Sequence, residues 1–275
     1  MKRIYFPFYR LGICMLLLFS CSPQWHSEAE LEARSIREHG IKQMIQHQII
    51  YHAGMPAKEF ISRWVDYDSK GNKRQEQNFN EDGSLYCHIQ YTYNAEGQML
   101  RTLCLNPQKN RIFQIDRTYN AHHFRKELTY ILPDGSFKYK NVAICDEEGK
   151  PIQITWYRPE GLKAVHKIQY VGQQKVSEAE YDPSGFLNDQ WEYAYHSNGN
   201  LTQAIQWYPG HLMNAKITYE YDSDSNLRKE CHYAADMLDS FILFRYNRNQ
   251  VLIEKDYFSG SGILSEKNRF EYVYQ

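Results

Sequence analysis

The chain has 275 residues, and its 32 Lys and Arg stand against 33 Asp and Glu for a formal net charge of -1. Charges of both signs are interspersed, which excludes the basic footprint of a nucleic-acid binder. The length allows one large domain or two small ones with a substantial core, and 23 tyrosines beside a mean hydropathy of -0.69 fit a sheet with one apolar and one polar face.

At the N-terminus Lys2 and Arg3 precede an apolar run through Leu11, Ile13, Met15 and Phe19 that stops at Ser20-Cys21-Ser22-Pro23. The run is too short to span a bilayer and reads as the core of a signal peptide. Leu18-Phe19-Ser20-Cys21 resembles the bacterial lipobox. That resemblance implies removal of residues 1–20 and acylation, palmitate included, at Cys21, which would hold the mature chain on a membrane of the bacterial envelope. Ser22 rather than Asp after the cysteine resembles lipoproteins sent to the outer membrane, with the periplasmic or surface face left open. The bland alternative is an ordinary signal peptide with an incidental cysteine.

Residues 21–40 read as a tether with a short helix, because Ser27 to Arg34 combine a capping serine with strong helix formers. From Ile41 onward an alternating pattern rich in β-branched residues begins a strand, and residues 41–275 read as one repeat domain. The first connection is placed at Gly54-Met55-Pro56-Ala57. A turn phrase then recurs, clearest at Tyr181-Asp182-Pro183-Ser184-Gly185-Phe186-Leu187. Asp suits the start of a type I turn, Pro presets φ, and Gly supplies the left-handed residue of a one-residue bulge. Such a turn sets Tyr181 across from Leu187 on one face.

The glycine slot falls at Gly71, Gly83, Gly97, Lys109, His123, Gly135, Gly149 and Gly161, so steps of 12 and 14 make a 26-residue unit. With slips it continues at Gln174, Gly185, Gly199, His211, Ser225, Met237, Gln250 and Gly262. Tight turns between strands of about 8 and 10 residues make an antiparallel meander. About eighteen such strands laid flat would be roughly 85 Å wide, so the sheet has to leave the plane. The predicted fold is therefore all-β, an antiparallel meander of tandem β-hairpin repeats forming a coiled or curled sheet. One face reads Leu85, Cys87, Ile89, Tyr91 and Tyr93; in the middle of the chain Ile152, Ile154 and Trp156 fall opposite Tyr157.

The pattern Tyr-x-Tyr-Asp-x-x-Gly-x-Leu, best matched at Tyr91 to Met99, Tyr193 to Leu201 and Tyr219 to Leu227, resembles the YD repeat of Rhs-type proteins and teneurins. It also shares turn chemistry with antitoxin-type hairpin repeats. The resemblance implies a coiled β-meander and no particular activity.

No catalytic constellation accompanies the repeat. Cys87, Cys104, Cys145 and Cys231 contain no C-x-x-C, and the eleven histidines give no metal-ligand spacing; His122-His123 reads as a solvated turn. With Tyr93 facing Met99, Cys87 is expected to face Leu105 with Cys104 on the other side, leaving free thiols; a bulge-free two-residue loop would instead bring Cys87 and Cys104 together. Serines lack a nucleophile-elbow setting, and no glycine-rich phosphate loop exists. Trp156, Trp191 and Trp207 are a candidate aromatic binding surface, although aromatics at alternating strand positions more often pack. The expected function is a noncatalytic, lipid-anchored envelope protein whose sheet is a binding or structural surface. It needs no metal or cofactor and has the membrane, through its acyl chains, and a protein or glycan as partners. A glycan-binding module and an immunity or antitoxin-like inhibitor are the alternatives.

Overall fold

The computed structural model describes residues 35–121 and 125–274. Cys21, the signal segment, the helix expected over 27–34 and the His122-His123 turn lie outside the described residues. The strands run in chain order as β1 (Ile41–His52), β2 (Met55–Tyr67), β3 (Lys73–Phe79), β4 (Leu85–Tyr93), β5 (Met99–Leu105) and β6 (Arg111–Tyr119). They continue as β7 (Arg125–Ile131), β8 (Phe137–Cys145), β9 (Pro151–Arg158), β10 (Gly161–Val171), β11 (Gln174–Tyr181) and β12 (Leu187–Tyr195). The last third holds β13 (Leu201–Tyr208), β14 (Leu212–Tyr221), β15 (Leu227–Ala234), β16 (Met237–Tyr246), β17 (Leu252–Ser259) and β18 (Leu264–Tyr274).

Each strand pairs antiparallel with the next, and β1 also pairs with β18, from Ile41 opposite Tyr274 to Ile50 opposite Glu266. The sheet is a closed 18-stranded barrel. This corrects the expectation of a coiled or curled sheet, and the reason lies in the edges. A meander left open would expose two long ladders of unpaired N–H and C=O groups, and pairing β1 with β18 removes both. Substantial contact among the described residues is confined to ladder neighbours.

The turns follow the chemistry of the repeated phrase. Gly185 N donates to Asp182 O (3.0 Å), Asp182 Oδ1 accepts from the N–H groups of Ser184 (2.8 Å) and Phe186 (2.9 Å), and Gly185 has φ +88°. Tyr181 pairs with Leu187, just past the bulge. Where the slot lacks glycine, Lys109, His211, Ser225 and Gln250 take the left-handed conformation themselves (φ 58° to 65°). Four connections differ from expectation, one of them the Pro159-Glu160 turn, which places Gly161 at the start of β10. The first turn is Ala53-Gly54, both with positive φ, and Met55 already pairs with His52. Gly172-Gln173 and Ala235-Asp236 form two-residue turns, so Gln174 and Met237 open strands instead of occupying turns.

Alternation divides the side chains between two walls. Val65, Glu76, Thr102, Leu128, Ile154, Ile168, Glu178, Ala204 and Phe244, all on one wall, are buried. The concave side of a closed sheet crowds its side chains, so this is the inner wall. Tyr67, Tyr93, Tyr119, Tyr170, Tyr195, Tyr221, Tyr246 and Tyr272 lie on the same wall at steps of 25 or 26, with Cys145 in the place of one more. They lie at the ends of the even-numbered strands or within two residues of them, at one rim. The hydroxyls of Tyr93, Tyr119, Tyr195 and Tyr272 donate to the carbonyls of Lys73, Met99, Lys175 and Leu252 (2.9, 2.9, 2.8 and 2.6 Å), each twenty residues earlier. These four tyrosines thus stitch the end of their strand to the start of the one before.

Residues 35–38 form one helical turn at this rim, where Ile36 packs on Ile41, Met44, Val65, Tyr67 and Val251 with Phe270 and Tyr272 against them. This cluster joins the first two strands to the last and holds the seam.

Candidate functional site

The inner wall gathers its chemistry across β6 to β12. Phe113, Tyr130, Tyr139, Trp156 and His166 stand on five successive strands with ring centroids 5.2, 5.1, 5.5 and 6.0 Å apart. The ladder arises because in-register pairs such as Tyr130 with Tyr139 repeat the same inward position from strand to strand. Stacked aromatic pairs contribute about 0.5–1.5 kcal/mol each beyond their burial. Their faces pack on one another and are not offered to a ligand. Beside the ladder, Nδ2 of Asn141, a residue 2% exposed, and Nε1 of Trp156 are buried donors without a partner. Asn141 and Trp156 oppose each other across β8 and β9, so the spot has two donors to offer an acceptor.

At the ladder's end the wall becomes ionic. His166 Nδ1 lies 2.8 Å from Glu178 Oε1 and its Nε2 lies 3.3 Å from Glu180 Oε2. Lys175 Nζ reaches Glu178 Oε2 at 3.0 Å and sits 4.3 Å above the Tyr193 ring. Burial alone would push the Glu178 carboxyl up, but the His166 hydrogen bond and the Lys175 charge outweigh it and hold the group below the ordinary carboxylate range. Asp189, which accepts from Gln206 Nε2 (3.0 Å), goes the other way. Burial, with a smaller push from Glu180, raises its carboxyl despite the Gln206 hydrogen bond. The set of three carboxylates against one lysine and one histidine is suited to holding a polar or cationic group.

Trp156 and Trp191 lie on the inner wall, on either side of this cluster, and Trp191 opposes Glu178. Trp207 lies on the outer wall, donating to Glu192 Oε2 (3.0 Å) and meeting His211 edge-on at 6.5 Å. The three tryptophans therefore do not share a surface. Gly71, Gly83, Gly97, Gly135, Gly149, Gly185, Gly199 and Gly262 sit in turns with positive φ, whereas Gly161 opens β10 just after the Pro159-Glu160 turn. Missing from the sequence reading are Lys175, Glu178 and His166, whose only signal is charge at inward positions of an otherwise apolar alternation.

The outer wall carries ion pairs at mid-strand, including Arg101 with Asp116 (2.7 Å) and Lys140 with Glu127 (2.8 Å). Among the described residues no helix is long and apolar enough to cross a membrane.

No known family and no curated protein matches the chain. Among solved structures it is similar to a porin-like protein from Bacteroides uniformis, with 8% identity, a TM-score of 0.46, and coverage of 85% of this chain and 98% of that one. A porin-like protein from Bacteroides vulgatus matches with 11% identity and a TM-score of 0.40, covering 68% and 95%. The complex TcdB2-TccC3-TEV matches at 10% identity and a TM-score of 0.29, over 81% of this chain but only 14% of the other. None of these likenesses assigns an activity.

Proposed function

We propose that the chain is a noncatalytic, lipid-anchored protein of the bacterial envelope whose barrel stands in water beside the membrane and serves as a binding or structural scaffold. The observation that carries this reading is the outer wall. Arg or Lys on the lipid face of a barrel costs about 2–4 kcal/mol at the bilayer midplane, and Arg101 and Lys140 lie at mid-strand with their acidic partners. A wall of this kind favours water over lipid, so attachment falls to the N-terminal segment and Cys21. The 25- or 26-residue spacing of the rim tyrosines supports a YD-type reading of the repeat. Binding falls to the inner wall, where buried donors and the His166–Glu178–Lys175 group converge.

Replacing Cys21 by Ala is expected to move the protein from the membrane to the soluble fraction without changing its thermal unfolding. Retention of the Cys21→Ala protein on membranes after a high-salt wash would contradict the anchor.

A further inference from the structure

We propose that Cys87 and Cys104 form a two-coordinate site for one soft d10 cation, Cu(I) or Ag(I), on the inner wall. Both are free thiols, 3% and 1% exposed. Cys104 opposes Ile89, so Cys87 is its diagonal neighbour on the same wall. The neighbouring Cys104 thiol is the largest influence on Cys87 and draws it below the ordinary thiol range. Cys87 Sγ also accepts from Asn78 Nδ2 at 3.6 Å. A hydrogen bond to Cys87 Sγ favours its thiolate, the form that binds a metal.

Diagonal neighbours in a ladder lie about 7–8 Å apart, with their Cβ atoms somewhat closer but still beyond the roughly 3.8 Å of a disulfide. The register therefore disfavours an S–S bond and leaves room for an ion between the sulfurs. Soft thiolates select soft ions, and no group of three or more His, Cys, Asp or Glu that could hold a metal exists among the described residues. That leaves an ion satisfied by two ligands. Glu76, on the same wall, accepts from Asn78 Nδ2 (3.1 Å) and from the Tyr91 hydroxyl (3.1 Å), and adds negative charge that favours a cation. Starting from one thiolate and one thiol, binding breaks one S–H bond and forms two S–metal bonds, one proton leaves to solvent, and the metal keeps its oxidation state. The net charge of the site is unchanged, so no new charge is buried.

The test uses the full chain carrying Cys145→Ser and Cys231→Ser, reduced and titrated with Ag(I), read by native mass spectrometry and by maleimide labelling. One ion per chain is expected, with both thiols protected by a single equivalent, and with affinity lower by on the order of 100-fold when either Cys87 or Cys104 is replaced by Ser. Thermal unfolding of each variant shows that it folds; Cys87→Ala and Cys104→Ala serve where a serine variant does not. The proposal is overturned by two ions binding independently, by unchanged affinity in the single variants, by no binding, or by a native pair lighter than its reduced form by two hydrogens.

Discussion

Gly260→Ala is expected to be among the most damaging single-methyl additions in the barrel, lowering stability by about 3 kcal/mol, the upper end of the overpacking range. A Cβ at this position would lie 2.0 Å from the Leu238 carbonyl oxygen and 3.0 Å from that of Asp239. Both are backbone atoms, so no side chain can swing aside. The approach is close because Gly260 N donates to Asp239 O at 2.6 Å, extending the β16–β17 ladder past the Ser240–Ser259 pair and into the last turn. Gly97→Ala is the contrasting case. Its Cβ would meet nothing within 4 Å, and only the left-handed backbone (φ +84°) opposes it, at about 1–2 kcal/mol. Urea denaturation of the two variants compares steric with conformational cost, and equal losses would contradict this reading of Gly260.

Glu178→Leu is expected to cost about 3 kcal/mol at pH 7, the scale for breaking a buried ion pair from one side. It leaves Lys175, 9% exposed, without its carboxylate partner, and strips His166 of its 2.8 Å contact. Adding Lys175→Met should recover most of the loss, since an apolar pair of similar volume is often as stable as the ion pair it replaces. The pH dependence carries a definite sign. A carboxyl held below its unfolded value stabilises the fold fully above that value, and the contribution is lost as pH falls through the folded one. The native protein should therefore lose stability below about pH 4.3, with a steeper acid limb than Glu178→Leu. Identical acid limbs in urea melts at pH 3 to 5 would remove Glu178 from the account.

The local joints of this fold were legible because they are written in adjacent residues. Asp182 and Gly185 define a turn, and Tyr181 and Leu187 define its register, all within seven positions. Longer reasoning failed where a bulge intervened. Tyr93 does meet Met99, but the bulge just beyond this pair shifts the ladder by one, so His88 rather than Cys87 meets Leu105. Cys104 is thereby turned onto the same wall as Cys87, correcting the expectation that the two point apart. Closure was not legible either, because it pairs residues 41–50 with 266–274 and no local signal spans that separation. The ionic cluster is not legible for a related reason. Its members are ordinary surface residue types, and only register across β10, β11 and β12 brings His166, Glu178 and Asp189 to one wall. The rim tyrosines were visible as a repeat, but their bond to a carbonyl twenty residues back depends on the rise of the neighbouring strand.

The closed barrel is tested most directly by joining its seam. Ile45 opposes Glu271 across β1 and β18, and Ala194 opposes Gln203 across β12 and β13. Directly opposed residues have Cα atoms about 4.5–5.5 Å apart, within disulfide range. Paired cysteines at Ile45 and Glu271, and as a control at Ala194 and Gln203, are oxidised in dilute solution and mapped by peptide mass spectrometry. A closed barrel predicts an intramolecular bond in both proteins; a bond in the control with none between positions 45 and 271 would contradict closure.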